Sequence, residues 1–193
     1  ANLIINPAPI GIQISGQYNG STILSPASSV ITGLVNGESL VITSATVNAK
    51  DVSSNGSNYI TSVLSATGTA NLNNYVINMS QNVTPNTNTT NSVIITPAPL
   101  VISAANSAKF ITQTDPTGYS GVVYNGWIGL EGPGQISGVP VITRSNPGTD
   151  VAGAYTLTPS GFGASGSTNG NYQISYQTGG FTIVPAQTLL VTV

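Results

Sequence analysis

The side chains that could carry chemistry are few and widely spaced. Apart from the tyrosines, eight residues titrate, and they are Glu38, Lys50, Asp51, Lys109, Asp115, Glu131, Arg144 and Asp150. The chain has no His and no Cys, so the commonest general base and the commonest transition-metal ligands are missing. No two acids stand at a recognisable catalytic spacing, and a glycosidase-type carboxylate pair is the enzymatic alternative. The sequence therefore predicts a protein that is not an enzyme and binds no cofactor.

Lys50 and Lys109 stand in different halves of a chain that is poor in charge. A buried lysine beside an asparagine and an acid can form an intramolecular amide cross-link, which would suit a protein under tension. The alternative is a surface ion pair of Lys50 with Asp51 and a solvated strand end at Lys109. Calcium needs about six to eight oxygen ligands, usually several of them carboxylates, so five acids favour no metal site. Asp115 and Asp150 are the best placed acids if one exists.

Trp127 is the only tryptophan and lies in a Gly-rich segment. If exposed, it offers a stacking platform for a sugar, together with tyrosines such as Tyr119 and Tyr124. The sequence favours the other interpretation, a core anchor, because large aromatic side chains dominate the cores of β-sandwiches.

Five Asn-X-Ser/Thr sequons are candidate glycosylation sites. In so Ser- and Thr-rich a chain, chance is the favoured explanation for a motif this short. The sequons begin at Asn19, Asn55, Asn78, Asn82 and Asn88.

The composition excludes several classes of protein. Charged residues make up 4% of the chain, against roughly 25% in ordinary globular proteins, and the net charge is −2. Three basic residues cannot neutralise a phosphate backbone, so we expect no nucleic-acid partner. No apolar run approaches the roughly 18 residues of a membrane span, so we expect no membrane insertion. Low charge favours association with copies of the same chain.

A proline-containing motif recurs at the start, middle and end of the chain. Its proline anchors are Pro7, Pro97 and Pro185, each beside apolar stretches. Two further landmarks fall within the intervals: Asn74-Tyr75 matches Asn171-Tyr172, and Gly33–Gly37 matches Gly121–Gly126 more loosely. The repeat predicts two homologous modules, 7–96 and 97–184.

Each module is expected to be built from short β-strands. Apolar residues alternate with polar ones at 10–15 and 172–177, and Asn-Gly and Pro-Gly turn signals recur between such runs. The pattern predicts an all-β fold of two tandem Ig-like β-sandwich modules. A β-grasp-like module is the alternative; it needs a helix, for which 25–32 is the only candidate.

Pro-Ala-Pro is expected to form a short, stiff joint between modules, because proline interrupts a strand ladder and holds the preceding residue extended. Residues 1–6 then match the closing strand of a preceding module, and 185–193 the opening strand of a following one. The alternative is that these end strands are donated to neighbouring copies. The predicted joint residues are Pro7, Pro9, Pro97, Pro99 and Pro185, and the predicted strand-exchange residues are Leu3, Ile4, Ile5, Leu189, Leu190 and Val191.

The first interval resembles the YDG-type repeat module of large bacterial surface adhesins. The resemblance rests on 18–22 (YNGST), 33–40 (GLVNGESL) and 70–75 (ANLNNY), with Asn19 in place of the central acid of the family signature. The second interval resembles the MBG, or "mostly bacterial globular", module, through 95–100 (ITPAPL), 150–157 (DVAGAYTL) and 171–174 (NYQI). Such modules occur in filamentous-haemagglutinin-type secreted proteins, and the family brings no catalytic residues.

The resemblance implies an extracellular protein of the bacterial cell surface. Its expected function is that of stalk or spacer modules in an adhesin or extracellular fibre, supporting adhesion and biofilm contact. The expected partners are neighbouring modules, copies of itself and surface polysaccharide. The alternatives are a filament subunit that polymerises by terminal strand exchange and a carbohydrate-binding module.

Overall fold

A computed structural model describes residues 5–186, apart from the side chains of 164–166. The described chain divides into two compact units, with the boundary after Ala98. We call these unit 1 and unit 2; the short segment Asn169–Asn171 groups with unit 1. The predicted joint residues Pro97 and Pro99 lie on either side of this boundary.

Unit 1 consists of two small β-sheets. In one, β1 is flanked by antiparallel β3 and, on its other side, by β6 and β7, which both run parallel to it. The other sheet has the order β2-β4-β5 and is antiparallel. The strands are β1 (Ala8–Gln17), β2 (Ile23–Leu24), β3 (Ser28–Thr32), β4 (Leu40–Val47), β5 (Ile60–Gly68), β6 (Tyr75–Ile77) and β7 (Asn91–Thr96), with 3-10 turns at Val52–Ser54 and Leu72–Asn74.

The core of unit 1 follows from the alternation of its strands. Ile10, Ile12 and Ile14 on β1 are fully buried, and apolar residues of β4 and β7 are buried with them: Leu40, Ile42, Ala45, Val47, Val93 and Ile95. Because apolar area removed from water stabilises the fold by about 25 cal/mol per Å², this shared interior holds the two sheets together.

Unit 2 repeats this plan with longer strands. One sheet has the order β10-β8-β13; the other has the order β11-β12-β14-β9, in which β14 and β9 run parallel. Leu157, Phe181, Ile183 and Ala104 form its central cluster. The strands are β8 (Ala98–Ala104), β9 (Ser107–Phe110), β10 (Val122–Asn125), β11 (Ile136–Arg144), β12 (Gly153–Ser167), β13 (Tyr172–Gln177) and β14 (Gly179–Val184), with 3-10 turns at Pro133–Gln135 and Thr168–Gly170.

The predicted all-β, sandwich-like fold is confirmed. The described residues contain strands and 3-10 turns but no α-helix, which removes the basis of the β-grasp alternative. The segment proposed as its helix, 25–32, instead contains strand β3, because its Ser and β-branched residues favour an extended chain.

Asparagine side chains complete the edge of β7 in unit 1. In unit 2 the corresponding strand, β14, lies between β12 and β9, whereas β7 pairs with β1 on one side only. The Asn91 amide exchanges two hydrogen bonds with the backbone of Ile60, and the Asn55 amide does the same with Ile95. These amides satisfy backbone groups that would otherwise lack partners, which gives the high asparagine content a structural role.

Candidate functional site

Each unit contains two neighbouring strands that run parallel, and one of them is its last strand. In unit 1, residues Ile12–Gln17 of the first strand, β1, pair with Asn91–Thr96 of the last strand, β7. In unit 2, Ser107–Phe110 of the second strand, β9, pair with Phe181–Val184 of the last strand, β14, while the first strand, β8, pairs with β10 and β13. Unit 1 is therefore entered and left through neighbouring strands whose outer ends point in opposite directions.

A buried tyrosine holds the loop between β3 and β4 of unit 1. The Tyr75 hydroxyl donates a hydrogen bond to the Glu38 carboxylate and accepts one from the Val35 N–H, 3.2 Å away. The hydrogen bond to Glu38 is the main cause of a raised Tyr75 pKa, which the Val35 N–H partly offsets. The phenol therefore stays protonated and acts as a fixed donor.

Unit 2 contains the same arrangement. The Tyr172 hydroxyl donates to Glu131 and accepts from the Ile128 N–H at 2.9 Å. Burial, followed by the hydrogen bond to Glu131, raises the pKa of Tyr172 to about 12. We call each set of tyrosine, glutamate and backbone N–H a tyrosine clamp.

A glycine precedes each clamp and fixes the start of its loop. A side chain on Gly33 would lie 2.6 Å from the Pro9 carbonyl oxygen, and one on Gly126 would lie 2.3 Å from that of Pro99. Both glycines have positive φ, which glycine adopts at little cost. Gly126, rather than the Gly121 of the sequence match, is thus the counterpart of Gly33, because Gly121 faces open space.

Sequence analysis did not predict the clamps, although the sequence contains a pattern that indicates them. Each consists of a glycine, a glutamate five positions later and an Asn-Tyr pair much further on: Gly33, Glu38 and Tyr75, then Gly126, Glu131 and Tyr172. The apolar residues between glycine and glutamate differ, so only the three-dimensional contacts reveal the equivalence.

Unit 2 gathers four charged side chains at one end. Lys109 Nζ lies 3.0 Å from a carboxylate oxygen of Asp115 and 3.0 Å from one of Asp150, and Arg144 Nε lies 2.8 Å from Asp115. The Arg144 side chain is fully buried, with its guanidinium carbon 4.8 Å from the ring centroid of Tyr155. Ion pairing and a cation–π contact together stabilise this buried cation. We call these four residues the ionic cluster.

The charges of the ionic cluster are paired with one another, while the buried Nη1 of Arg144 has no hydrogen-bond partner among the described residues. Burial alone would raise the pKa of Asp115, but hydrogen bonds from Lys109, Arg144 and Tyr119 leave it lowered. Lys109 and the Thr112 N–H lower the pKa of Asp150. The hydrogen bond to Asp115 is the main cause of a raised Lys109 pKa.

These shifts bear on two predictions from the sequence. Lys109 is 6% exposed, so the expected solvated strand end is wrong there, and it stays an ammonium ion, which cannot attack an amide carbon to form a cross-link. Lys109 lies between the two acids named as calcium candidates, and its charge together with that of Arg144 balances the two carboxylates. Among the described residues, no group of three acidic side chains is arranged to hold a metal ion. Lys50 lies 3.4 Å from the Tyr18 hydroxyl.

A surface cavity of about 380 Å³ lies beside the ionic cluster. Gln113, Thr114, Gly148 and Thr149 line it together with the four charged residues. The Gln113 carbonyl accepts from Lys109 at 2.8 Å and the Thr149 carbonyl from Arg144 at 2.9 Å, so the lining groups are engaged with one another. The arrangement is that of a structural ion network, with positive and negative groups in equal number.

Trp127 lies in an aromatic group and is half-buried. Its ring is 5.1 Å from that of Tyr172, edge to face, and 5.6 Å from that of Tyr124. Tyr119 packs edge to face on Phe181 in the core of unit 2. Trp127 and Tyr119 therefore contribute to different parts of unit 2, whereas a sugar platform would need both rings on one exposed face.

The predicted joints lie at strand boundaries. Pro97 separates β7 from β8, Pro7 precedes β1, and Pro185 follows β14, whereas Pro9 and Pro99 lie within β1 and β8. Of the predicted strand-exchange residues, Ile5 is described and highly exposed. The others, Leu3, Ile4, Leu189, Leu190 and Val191, lie outside the described residues, so strand exchange stays a prediction.

The five sequons differ in how their asparagines are held. The amides of Asn19, Asn55, Asn78 and Asn82 all form hydrogen bonds within unit 1. Asn88 is exposed, and among the described residues none bonds to its side chain. A glycan could therefore attach most readily at Asn88.

Comparison with known families identifies part of the chain, within unit 2. Residues 100–182 match the family model of the MBG domain (YGX type), which confirms the MBG module expected there. The YDG-type resemblance of unit 1 stays a prediction. Searches of curated proteins and of solved structures gave no match. Within the described chain, no helix has the length and apolar character needed to span a membrane.

Proposed function

We propose that the chain is a pair of structural spacer modules from an adhesin or extracellular fibre on the bacterial cell surface. The MBG match of unit 2 supports a repeat module of bacterial surface proteins. The tyrosine clamp that recurs in unit 1 supports a common architecture for both units.

The observation that carries the proposal is the parallel pairing of the first and last strands of unit 1. Tension on a chain of such modules enters unit 1 at the start of β1 and leaves at the end of β7. Because these strands are parallel neighbours, tension acts along the ladder and loads the six paired positions from Ile12 to Gln17 together. In this geometry the paired positions cannot open one after another, as they do when a hairpin is pulled apart from its open end.

The proposed role requires no catalysis and no cofactor. The module remains folded under tension while the parent protein holds its adhesive part away from the cell. The proposed partners are neighbouring modules and, on the weakly charged Asn/Ser/Thr surface, polysaccharide or copies of the same chain.

The experiment is to stretch the chain by its two ends in a single-molecule force measurement. We expect two abrupt unfolding events, each releasing about 300 Å, since each unit holds about 90 residues at about 3.5 Å each when extended. Unit 1 should resist the higher force, because its β1–β7 ladder pairs six residues on each strand, whereas the β9–β14 ladder of unit 2 pairs four.

A substitution in β7 provides the matched control. The Val93 N–H donates to Asn58, so strand alternation places the neighbouring Ile94 N–H on the β1 side. Ile94→Pro removes that donor and should weaken only the stronger event, while Ile94→Thr keeps the donor and should leave both events unchanged. Gradual extension at low force, without discrete events, would contradict the spacer role.

A further inference from the structure

We infer that Asn36 is a site of spontaneous backbone modification that releases the tyrosine clamp of unit 1. The inference rests on the geometry of one turn and is independent of the spacer role. Its reaction is the closure of an asparagine–glycine step to a succinimide, followed by hydrolysis.

Asn36 and Gly37 occupy the two central positions of a tight turn. Their φ angles are +54° and +70°, and the Glu38 N–H donates to the Val35 carbonyl at 3.1 Å. These features define a type I′ turn, for which Asn-Gly is the preferred sequence. Both residues are exposed, and the space around Gly37 is open to solvent.

The groups that would react are free. Among the described residues, no hydrogen bond holds the Asn36 side chain, and none takes the Gly37 N–H. The Gly37 nitrogen, once it has lost its proton, forms a bond to Asn36 Cγ, and the side-chain nitrogen leaves as ammonia. Water then opens the ring at either carbonyl, which gives aspartate or isoaspartate.

Other Asn-Gly steps of the chain are held in place. Asn19 bonds through both side-chain atoms, to the Ser21 N–H and the Ile23 carbonyl. Asn55 is fixed by its two bonds to Ile95, and Asn169 donates to Asp51 within unit 1. At Asn125 no hydrogen bond to the side chain occurs in the described part of the chain, but the backbone is paired with Val101 and the following glycine is packed against Pro99.

The turn at Asn36 connects the two groups that hold Tyr75. Val35 and Glu38 are its first and last residues, and both bind the Tyr75 hydroxyl. Isoaspartate adds one carbon to the backbone between them, so they can no longer reach that hydroxyl together. The matching turn of unit 2 has Gly129 and Leu130 at its centre, so its clamp cannot undergo this reaction.

The test is to incubate the full chain at mildly alkaline pH and follow it by tandem mass spectrometry. Trypsin yields one peptide, ending at Lys50, that carries Asn19 and Asn36 together. We expect loss of ammonia at Asn36, with isoaspartate as a product, while Asn19 in the same peptide remains intact. Modification of Asn19 or Asn55 as fast as Asn36 would overturn the inference.

Asn36→Gly is the matched control, because glycine accepts the positive φ of the turn and cannot form the succinimide. The aged wild-type chain should show lower stability of unit 1 by circular dichroism, with the Trp127 transition of unit 2 unchanged. The aged Asn36→Gly chain should show neither change. Full modification of Asn36 without any loss of stability would refute the link to the clamp.

Discussion

At the scale of single residues, the two clamp tyrosines show how a polar atom can organise a β-sandwich. Tyr75 and Tyr172 bury most of the ring and use the hydroxyl to bind a loop at two points. A buried hydroxyl stabilises a fold only if its hydrogen bonds are made, and here it is both donor and acceptor. The core side of each clamp is thereby a neutral hydroxyl, while the carboxylates of Glu38 and Glu131 are partly exposed.

We expect Tyr172→Phe to lower the free energy of unfolding of unit 2 by about 1–3 kcal/mol, because the Ile128 N–H loses its acceptor and Glu131 its donor. Trp127 is the only tryptophan and touches Tyr172, so its fluorescence during urea unfolding measures unit 2 selectively.

Tyr59→Phe is the matched control, since no hydrogen bond to the Tyr59 hydroxyl occurs in the described part of the chain and the residue lies in unit 1. An unchanged Trp127 transition in Tyr172→Phe would show that the clamp contributes nothing to stability.

At the scale of elements, the two units differ in the interactions that stabilise their strand edges and the loops beside them. The edge of β7 in unit 1 relies on neutral amides such as Asn91 and Asn55, whereas the loops beside β9 in unit 2 rely on the ionic cluster. Hydrogen bonds between amides do not change with pH in the ordinary range, but ion pairs do. The two units should therefore respond differently to acid.

We expect unit 2 to lose stability as the pH falls below about 4, near the unfolded pKa of aspartate. The pKa values of Asp115 and Asp150 are lower in the folded state than in the unfolded state. The two carboxylates therefore stabilise unit 2 at a pH above their unfolded pKa, and this stabilisation is lost as the pH falls through their folded pKa values. The raised pKa of Lys109 affects stability at alkaline pH. The stabilisation that Lys109 provides is lost there as the pH rises through its pKa in the folded state.

The measurement is the urea midpoint of the Trp127 transition at a series of pH values. Asp150→Asn should lower the midpoint at neutral pH and weaken its dependence on acid. A midpoint that does not move across the acid range would mean that the ionic cluster does not support unit 2.

At the scale of the whole molecule, the small number of charges makes their placement informative. Five of the eight charged residues lie in unit 2, and four of those five form the ionic cluster. Much of the remaining surface is covered by Asn, Ser and Thr, which bind water without repelling a second copy of the chain. This property suits a module that lies beside identical neighbours.

We expect the intact mass of freshly purified chain to equal that of the unmodified sequence. The Lys109 amine is held as an ammonium by Asp115 and Asp150, and a protonated amine cannot form an amide bond. High-resolution mass spectrometry of the denatured chain checks this. Loss of one ammonia or one water, retained in Lys109→Met but absent in Lys50→Met, would instead locate a cross-link at Lys50.

The sequence by itself determined the fold class and predicted the repeat. Period-two alternation in segments such as 10–15 and 172–177 requires strands with one buried face, because successive side chains of a strand point to opposite sides. Pro97 marked the place where one unit gives way to the next, since proline cannot take part in a strand ladder as a donor. The MBG resemblance of the second interval came from local motifs and was confirmed by the family match.

Only the tertiary structure decided which distant residues act together. The clamps join Glu38 to Tyr75 and Glu131 to Tyr172, and no local periodicity relates partners so far apart in the chain. Likewise, Lys109 and Asp150 had to be brought together by β9 and the loop after β11 before either could be recognised as part of a network. The parallel pairing of β1 with β7 and of β9 with β14 belongs to the same class, because strand neighbours are set by the folding of the whole unit rather than by either strand.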